Sequence, residues 1–127
     1  MAELRTVAAC FVVADISATI QWYEEQLGFI GDPFPDREPY VFAILRRDDI
    51  QIFLQRIVDY EKPHLYNRRS GGVWDAYIHV YGIRDLYESV RGGEATIIQP
   101  LRQQPYGNWE FEVKDPNGYV LVFSEEG

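Results

Sequence analysis

Trp109-Glu110-Phe111-Glu112-Val113-Lys114-Asp115-Pro116-Asn117-Gly118-Tyr119-Val120-Leu121-Val122-Phe123-Ser124 is the stretch that decides the fold. It reads as strand, turn, strand. Proline presets its own backbone angle, and Asp, Asn and Gly tolerate the sharp reversal that joins two paired strands. The flanking residues Trp109 to Val113 and Tyr119 to Ser124 are rich in aromatic and β-branched side chains, which suit a pleated surface.

An earlier stretch has the same form. Tyr40 to Arg46 and Ile50 to Gln55 read as a hairpin, with Arg47, Asp48 and Asp49 in its turn. Ahead of it, Val7 to Val13 reads as a strand. Asp15 is placed as a helix N-cap, because its carboxylate can accept from the first free N–H groups. Ile16, Ile20, Tyr23 and Leu27 follow at helical spacing, and Gly28 stands where a left-handed residue would end the helix. Asp32-Pro33 and Phe34-Pro35 predict an irregular extended piece. Residues 56–73 are polar, end in Ser70-Gly71-Gly72 and predict a linker. After it come a strand, Trp74 to Val80, and a short helix with Ile83, Leu86, Tyr87 and Val90, closed by Gly92-Gly93. Glu94 to Ile98 is a further strand before the closing hairpin.

The order of elements therefore repeats. Val13 matches Val80, Asp48 matches Asp115 and Phe53 matches Val122, with the second turn two residues longer. Half of such a repeat cannot bury its own sheet face, so the two halves must pair, and pairing builds a cleft. The fold class expected is α/β (α+β): two βαβββ modules forming a curved mixed sheet around that cleft. Module one covers residues 1–56, the linker 57–73 and module two 74–127, within a single domain.

The charge narrows the partners. A formal net charge of -8 over 127 residues repels phosphate backbones, so no nucleic acid is expected, and cationic ligands are favoured. No apolar run reaches the roughly 20 residues that span a bilayer, so no membrane partner is expected. No basic-then-apolar leader opens the chain. Cys10 is the only cysteine, which excludes a disulfide within the chain and a multi-cysteine metal site. It sits in an apolar run and reads as an inert core thiol. A reducing cytoplasmic location is the simplest expectation.

The residues quoted above resemble a known superfamily. Phe11-Val12-Val13-Ala14-Asp15-Ile16, then Trp22-Tyr23 and Leu27-Gly28-Phe29, are similar to its opening strand and helix. Pro105-Tyr106-Gly107 and Glu110-Phe111 before Asp115-Pro116-Asn117-Gly118 are similar to its closing hairpin. The superfamily is that of the glyoxalases, bleomycin-resistance proteins and extradiol dioxygenases (vicinal oxygen chelate). Within it the chain most resembles the bleomycin-resistance proteins, through Arg47-Asp48-Asp49, Asp85-Leu86-Tyr87 and Gln104-Pro105-Tyr106-Gly107. The resemblance implies a cytoplasmic homodimer that sequesters a large, partly cationic antibiotic in clefts shared by two subunits, without changing it chemically. Residues 32–40 and 59–72 depart from that group.

Enzymes of the superfamily hold a divalent metal with His, Gln or Glu from the first and fourth strands of each half. The positions matched here are Ala8, Phe53, Asp75 and Val122, three of which carry no ligating atom. A slip along the alternating face of these strands brings in Gln51, His79 or Ser124, a poor mixed set. No metal, no cofactor and no catalytic residue are expected. Ser70 lacks a nucleophile elbow, and the paired glycines lack phosphate-loop spacing. Glu24-Glu25 and Glu125-Glu126 read as solvated surface charge. His64 lies in the linker.

What remains is aromatic and acidic surface. The candidate ligand-binding residues are Asp32, Phe53, Trp74, Asp75, Tyr77, His79, Tyr106, Trp109 and Glu110, with Phe11 as a further aromatic. Such rings stack on flat ligands and attract cations, and Asp32, Asp75 and Glu110 would supply an acidic lining. The expected function is metal-independent binding of a cationic, planar-ring molecule such as a bleomycin-type antibiotic. The alternative is a metal-dependent lyase, isomerase or dioxygenase of the same superfamily.

Overall fold

A computed structural model describes residues 1–127. The chain forms β1 (Ala9–Val13), α1 (Ile16–Leu27), β2 (Ile30–Phe34), β3 (Phe42–Arg47) and β4 (Ile50–Arg56). A single 3-10 turn, Tyr66–Arg68, interrupts the connection to β5 (Ala76–His79), α2 (Ile83–Arg91), β6 (Thr96–Gln103), β7 (Trp109–Lys114) and β8 (Val120–Glu125). Two four-stranded mixed sheets result, ordered β1-β4-β3-β2 and β5-β8-β7-β6. These are the two βαβββ modules. No helix is long and apolar enough to cross a membrane.

Local chemistry accounts for the helices. Asp15 accepts from the Ala18 N–H at 3.0 Å, and Gly28 ends α1 with φ at +67°. α2 has no such cap of its own. Its first N–H groups, from Gly82 and Ile83, donate instead to Glu125 at the end of β8, at 3.1 and 2.9 Å. Glu125 is therefore a structural cap rather than only surface charge. Those two hydrogen bonds hold its carboxyl below the usual range.

Each sheet has one face on the core and one face open, because side chains alternate along a strand. Phe11, Val13, Leu45, Ile52 and Leu54 bury one face of the first sheet. Ile78, Phe111, Val113, Leu121 and Phe123 bury one face of the second. This alternation corrects the reading of Cys10. Its strand neighbours Ala9 and Phe11 face the core, so Cys10 points to the open face, and it is exposed.

The repeat is visible in the registers. Cys10 pairs with Phe53 as Tyr77 pairs with Val122, and Phe11 with Leu54 as Ile78 with Phe123. The hairpins match differently from expectation. Leu45 faces Ile52 and Val113 faces Leu121, so Arg47, not Asp48, holds the place of Asp115. The second turn is longer by one residue rather than two. The other extra residue lies upstream of β7, where β6 carries register shifts.

A strand, β2, stands where an irregular piece was expected, and β6 runs past the expected Ile98 to Gln103. Both contain proline, which cannot donate to a ladder and is confined to edges and bulges. Both are edge strands. Pro33 stands in β2, and Pro100 falls at the β6 shift between Gln99 and Arg102.

Candidate functional site

The open face of the second sheet holds a polar cluster. Glu110 on β7 is buried, yet its carboxylate is satisfied. Tyr106 donates to one oxygen at 2.6 Å; Ser124, at 3.0 Å, and Tyr77 donate to the other. The Asn108 amide donates to Ser124 at 3.1 Å. Three hydroxyl hydrogens on one carboxylate occupy most of its acceptor sites and stabilise its charge. These residues come from β5, β7, β8 and the β6–β7 turn, so only the assembled sheet brings them together. Beside that carboxylate, burial and the hydrogen bond to Glu110 raise the Tyr106 phenol pKa far above its ordinary value.

Glu112 follows two residues later on the same face. It accepts from Tyr66 at 2.8 Å. Burial raises its pKa, the Tyr66 bond opposes that shift, and the charge of Glu110 adds to it. Tyr66 belongs to the connection between the modules, so that connection lies over the open face. Lys62, from the same segment, pairs with Asp75 at 3.4 Å and sits over the Tyr119 ring at 5.3 Å. Val120 and Val122 also point to this face and are buried beneath its cover.

Trp74 stands just before β5, 44% exposed, its ring 5.4 Å from that of Tyr77. His79 lies 5.3 Å from Tyr77 on the other side and is exposed. Tyr106 is 65% exposed above its bond to Glu110. Trp74, Tyr77, His79, Tyr106 and Glu110 therefore form one contiguous group. Asp75 joins it only at the margin, because its carboxylate accepts from the Val120 N–H at 2.9 Å and pairs with Lys62.

Two further rings stand on the core side of their strands. Trp109 shares the face of Phe111 and Val113, packs against the core, and lies under the Arg84 guanidinium at 4.5 Å. Phe11 is core as well, stacked on Tyr119. Strand parity decides both cases.

Asp32 and Phe53 belong to the other open face, on the first sheet. Phe53 meets Phe42 edge to face at 5.6 Å. Around them stand Ile44, Ile30 and Phe34, the last two 73% and 62% exposed. This face carries an uncovered apolar patch beside the Asp32–Arg46 pair. Asp32 is not a free anion, because Arg46 donates to it at 3.0 Å. Glu112, Tyr66, Asn108, Phe34 and Phe42 were missed as site residues. For Glu112 and Phe42 the two-residue spacing from Glu110 and Ile44 was the available signal.

The residues do not fit a metal centre within one chain. Phe53 and Val122 carry no ligating atom, Ser124 is engaged with Glu110, and Asp75 is engaged with Lys62. No three His, Cys, Asp or Glu side chains are placed to share an ion.

Residues 5–123 match the Glyoxalase/Bleomycin resistance protein/Dioxygenase superfamily, and the chain belongs to it. No curated protein matches the sequence. Among solved structures, the chain is similar to a glyoxalase-related enzyme from Clostridium phytofermentans, with TM-score 0.75, 18% identity, and 99% of this chain and 98% of that one covered. It is similar to TioX from Micromonospora sp. ML1, with TM-score 0.72, 18% identity and 97% of each chain covered. It is also similar to the bleomycin-binding protein of bleomycin-producing Streptomyces verticillus, solved with copper(II)-bleomycin. There the TM-score is 0.71 and the identity 24%, over 100% of this chain and 99% of that one.

Proposed function

We propose that this superfamily member is a cytoplasmic homodimer that binds a planar, cationic small molecule without metal or turnover, a bleomycin-type antibiotic being the first candidate. The observation that carries the reading is the Trp74–Tyr77–Tyr106 aromatic group around the buried Glu110 carboxylate. Rings of that kind stack on flat heteroaromatic groups, and a carboxylate held in a partly desolvated wall attracts a cation more strongly than one in water.

The uncovered apolar patch on the open face of the first sheet supports the dimer. A second copy that sets this face opposite its own aromatic and acidic group would bury Ile30, Phe34 and Phe53 and close a cleft with one flat apolar wall and one charged wall. The net charge of -8 agrees with a cationic ligand. The Streptomyces verticillus protein, solved with copper(II)-bleomycin, supports the choice of first ligand.

Calorimetric titration of bleomycin into the purified protein tests this reading, together with drug survival of cells expressing it. Heat with saturation and protection are expected. Neither heat nor protection would remove the antibiotic. Elemental analysis of the same preparation addresses the enzyme alternative. Stoichiometric Ni, Zn, Fe or Mn, held by His79 with Gln51 or Asp75, would put a metal-dependent activity first.

A further inference from the structure

The two modules meet at two junctions that the repeat makes equivalent, and the junctions are built differently. At the first, the β7–β8 turn reaches the free edge of β1. The Tyr119 ring lies flat on Phe11, with centroids 4.1 Å apart and planes 5° from parallel. Its hydroxyl accepts from the Val12 N–H at 2.9 Å and donates to the Val12 carbonyl at 2.6 Å. A phenol thus closes the outward-pointing backbone pair of an edge strand.

The registers put Ile50 in the place of Tyr119, Ile78 in that of Phe11 and His79 in that of Val12. The second junction therefore has no phenol. It holds a cavity of about 560 Å3. Ile50, Ile78, Leu86 and Phe123 supply apolar wall, while Asp48, Asp49 and Asp85 bring carboxylates to it. Arg47 does not neutralise all three. It donates to the Leu27 carbonyl at 2.8 Å and lies 3.7 Å from Asp48, and neither Asp49 nor Asp85 has a cationic partner.

The backbone completes the likeness. β5 is an edge strand, and the Val80 N–H points inward to the Ser124 carbonyl at 2.8 Å. Alternation then turns the N–H and C=O of His79 outward, on the side that lines the cavity. The His79 imidazole belongs to the open face beside Tyr77.

We propose that this cavity is a second binding site, separate from the open sheet faces, for a small phenol that carries a protonated amine. The ring takes the place that Tyr119 takes at the first junction, against Ile78 and Ile50. The hydroxyl sits between the N–H and C=O of His79. The ammonium group meets Asp49 and Asp85. The cavity is within the ordinary size range for one small molecule. The site stands whether or not the open faces take an antibiotic.

Tyramine is the probe, followed by amide NMR and calorimetry on the whole chain. Saturable shifts are expected at the His79, Ile50 and Asp85 amides. Phenethylamine, which lacks the hydroxyl, and phenol, which lacks the amine, should each bind at least about fivefold more weakly. Ile50→Tyr rebuilds the ring of the first junction and should weaken tyramine binding by about tenfold or more without lowering the melting temperature. Asp85→Asn should weaken it about threefold to fivefold and reduce its salt dependence. Trp74→Ala, on the open face, should leave the tyramine shifts at the Ile50 and Asp85 amides unchanged. No saturable shift up to about 10 mM would overturn the site, since that corresponds to less than about 3 kcal/mol of binding. Unchanged affinity in both Ile50→Tyr and Asp85→Asn would also overturn it. So would shifts at these amides that follow protein concentration rather than tyramine, because a second copy would then occupy the cavity.

Discussion

The Tyr23 hydroxyl donates to Asp115 at 2.6 Å, joining the helix of the first module to the last turn of the second across 92 residues of sequence. The same carboxylate accepts from the N–H groups of Asn117 and Tyr119, at 2.8 and 2.9 Å, which shapes the turn itself. All these groups except Asn117 are buried, so one side chain serves both the turn and the seam.

Tyr23→Phe should therefore destabilise the whole chain, not one half. It removes the donor and leaves a buried carboxylate oxygen unsatisfied, which costs about 1–3 kcal/mol. Urea unfolding followed by both fluorescence and circular dichroism should show a single transition at a lower midpoint. Two separated transitions would show that the modules unfold independently.

Asp115 also makes stability depend on pH. Burial raises its pKa, against the hydrogen bonds from Tyr23, Tyr119 and Asn117. A group raised in the folded state favours folding fully below its unfolded pKa, about 4, and that benefit is lost as pH rises through the folded value. Relative to Asp115→Asn, the wild type should lose stability as pH rises from about 3 toward neutrality. Parallel stability profiles for the two proteins would contradict this.

Tyr66→Phe should loosen the segment that lies over the second open face. It removes the bond to Glu112 while keeping the ring, so global stability should fall by only about 0.5–1.5 kcal/mol. Amide exchange should quicken around residues 62–68 before it changes in β7. Unchanged exchange there would mean that packing, not the hydroxyl, holds the segment.

Trp74→Ala and Tyr106→Ala test the proposed ligand wall. A desolvated stacking or cation contact contributes about 1–2 kcal/mol, so each substitution should weaken binding roughly five- to thirtyfold. Added salt should slow association of a cationic ligand. If neither substitution alters the affinity of a ligand that binds, the wall has been misplaced.

Phe34→Glu tests the proposed dimer. Its ring is 62% exposed on the first open face, and a carboxylate there would be costly to bury between subunits. Sedimentation at micromolar concentration should show dimer for the wild type and monomer for the variant. A monomeric wild type would remove the shared cleft.

Much of this architecture was legible in the chain, because it rests on local rules. Asp15 and Gly28 bound α1 by backbone chemistry that needs no distant partner. The Asp115-Pro116-Asn117-Gly118 turn announces its hairpin, and the repeated order of strand, helix and hairpin reveals two modules. The superfamily could be read from the same residues. Side-chain parity was also written in the strands, though less plainly. Cys10 lies in an apolar run that hides its own alternation, whereas Trp109 and Glu110 are neighbours on one strand and so point to opposite faces.

The rest depended on tertiary structure, for a physical reason. The partners are far apart in sequence, and nothing local to either one names the other. Glu125 caps a helix that begins 42 residues earlier. Tyr77, Tyr106 and Ser124 meet on Glu110 only when β5, β7 and β8 are side by side. Tyr119 closes the edge of β1 at one junction, while the equivalent Ile50 leaves a cavity at the other. The sequence determined by itself which elements form and in what order. Only the packing of one module on the other decided which polar groups are satisfied and which space stays open.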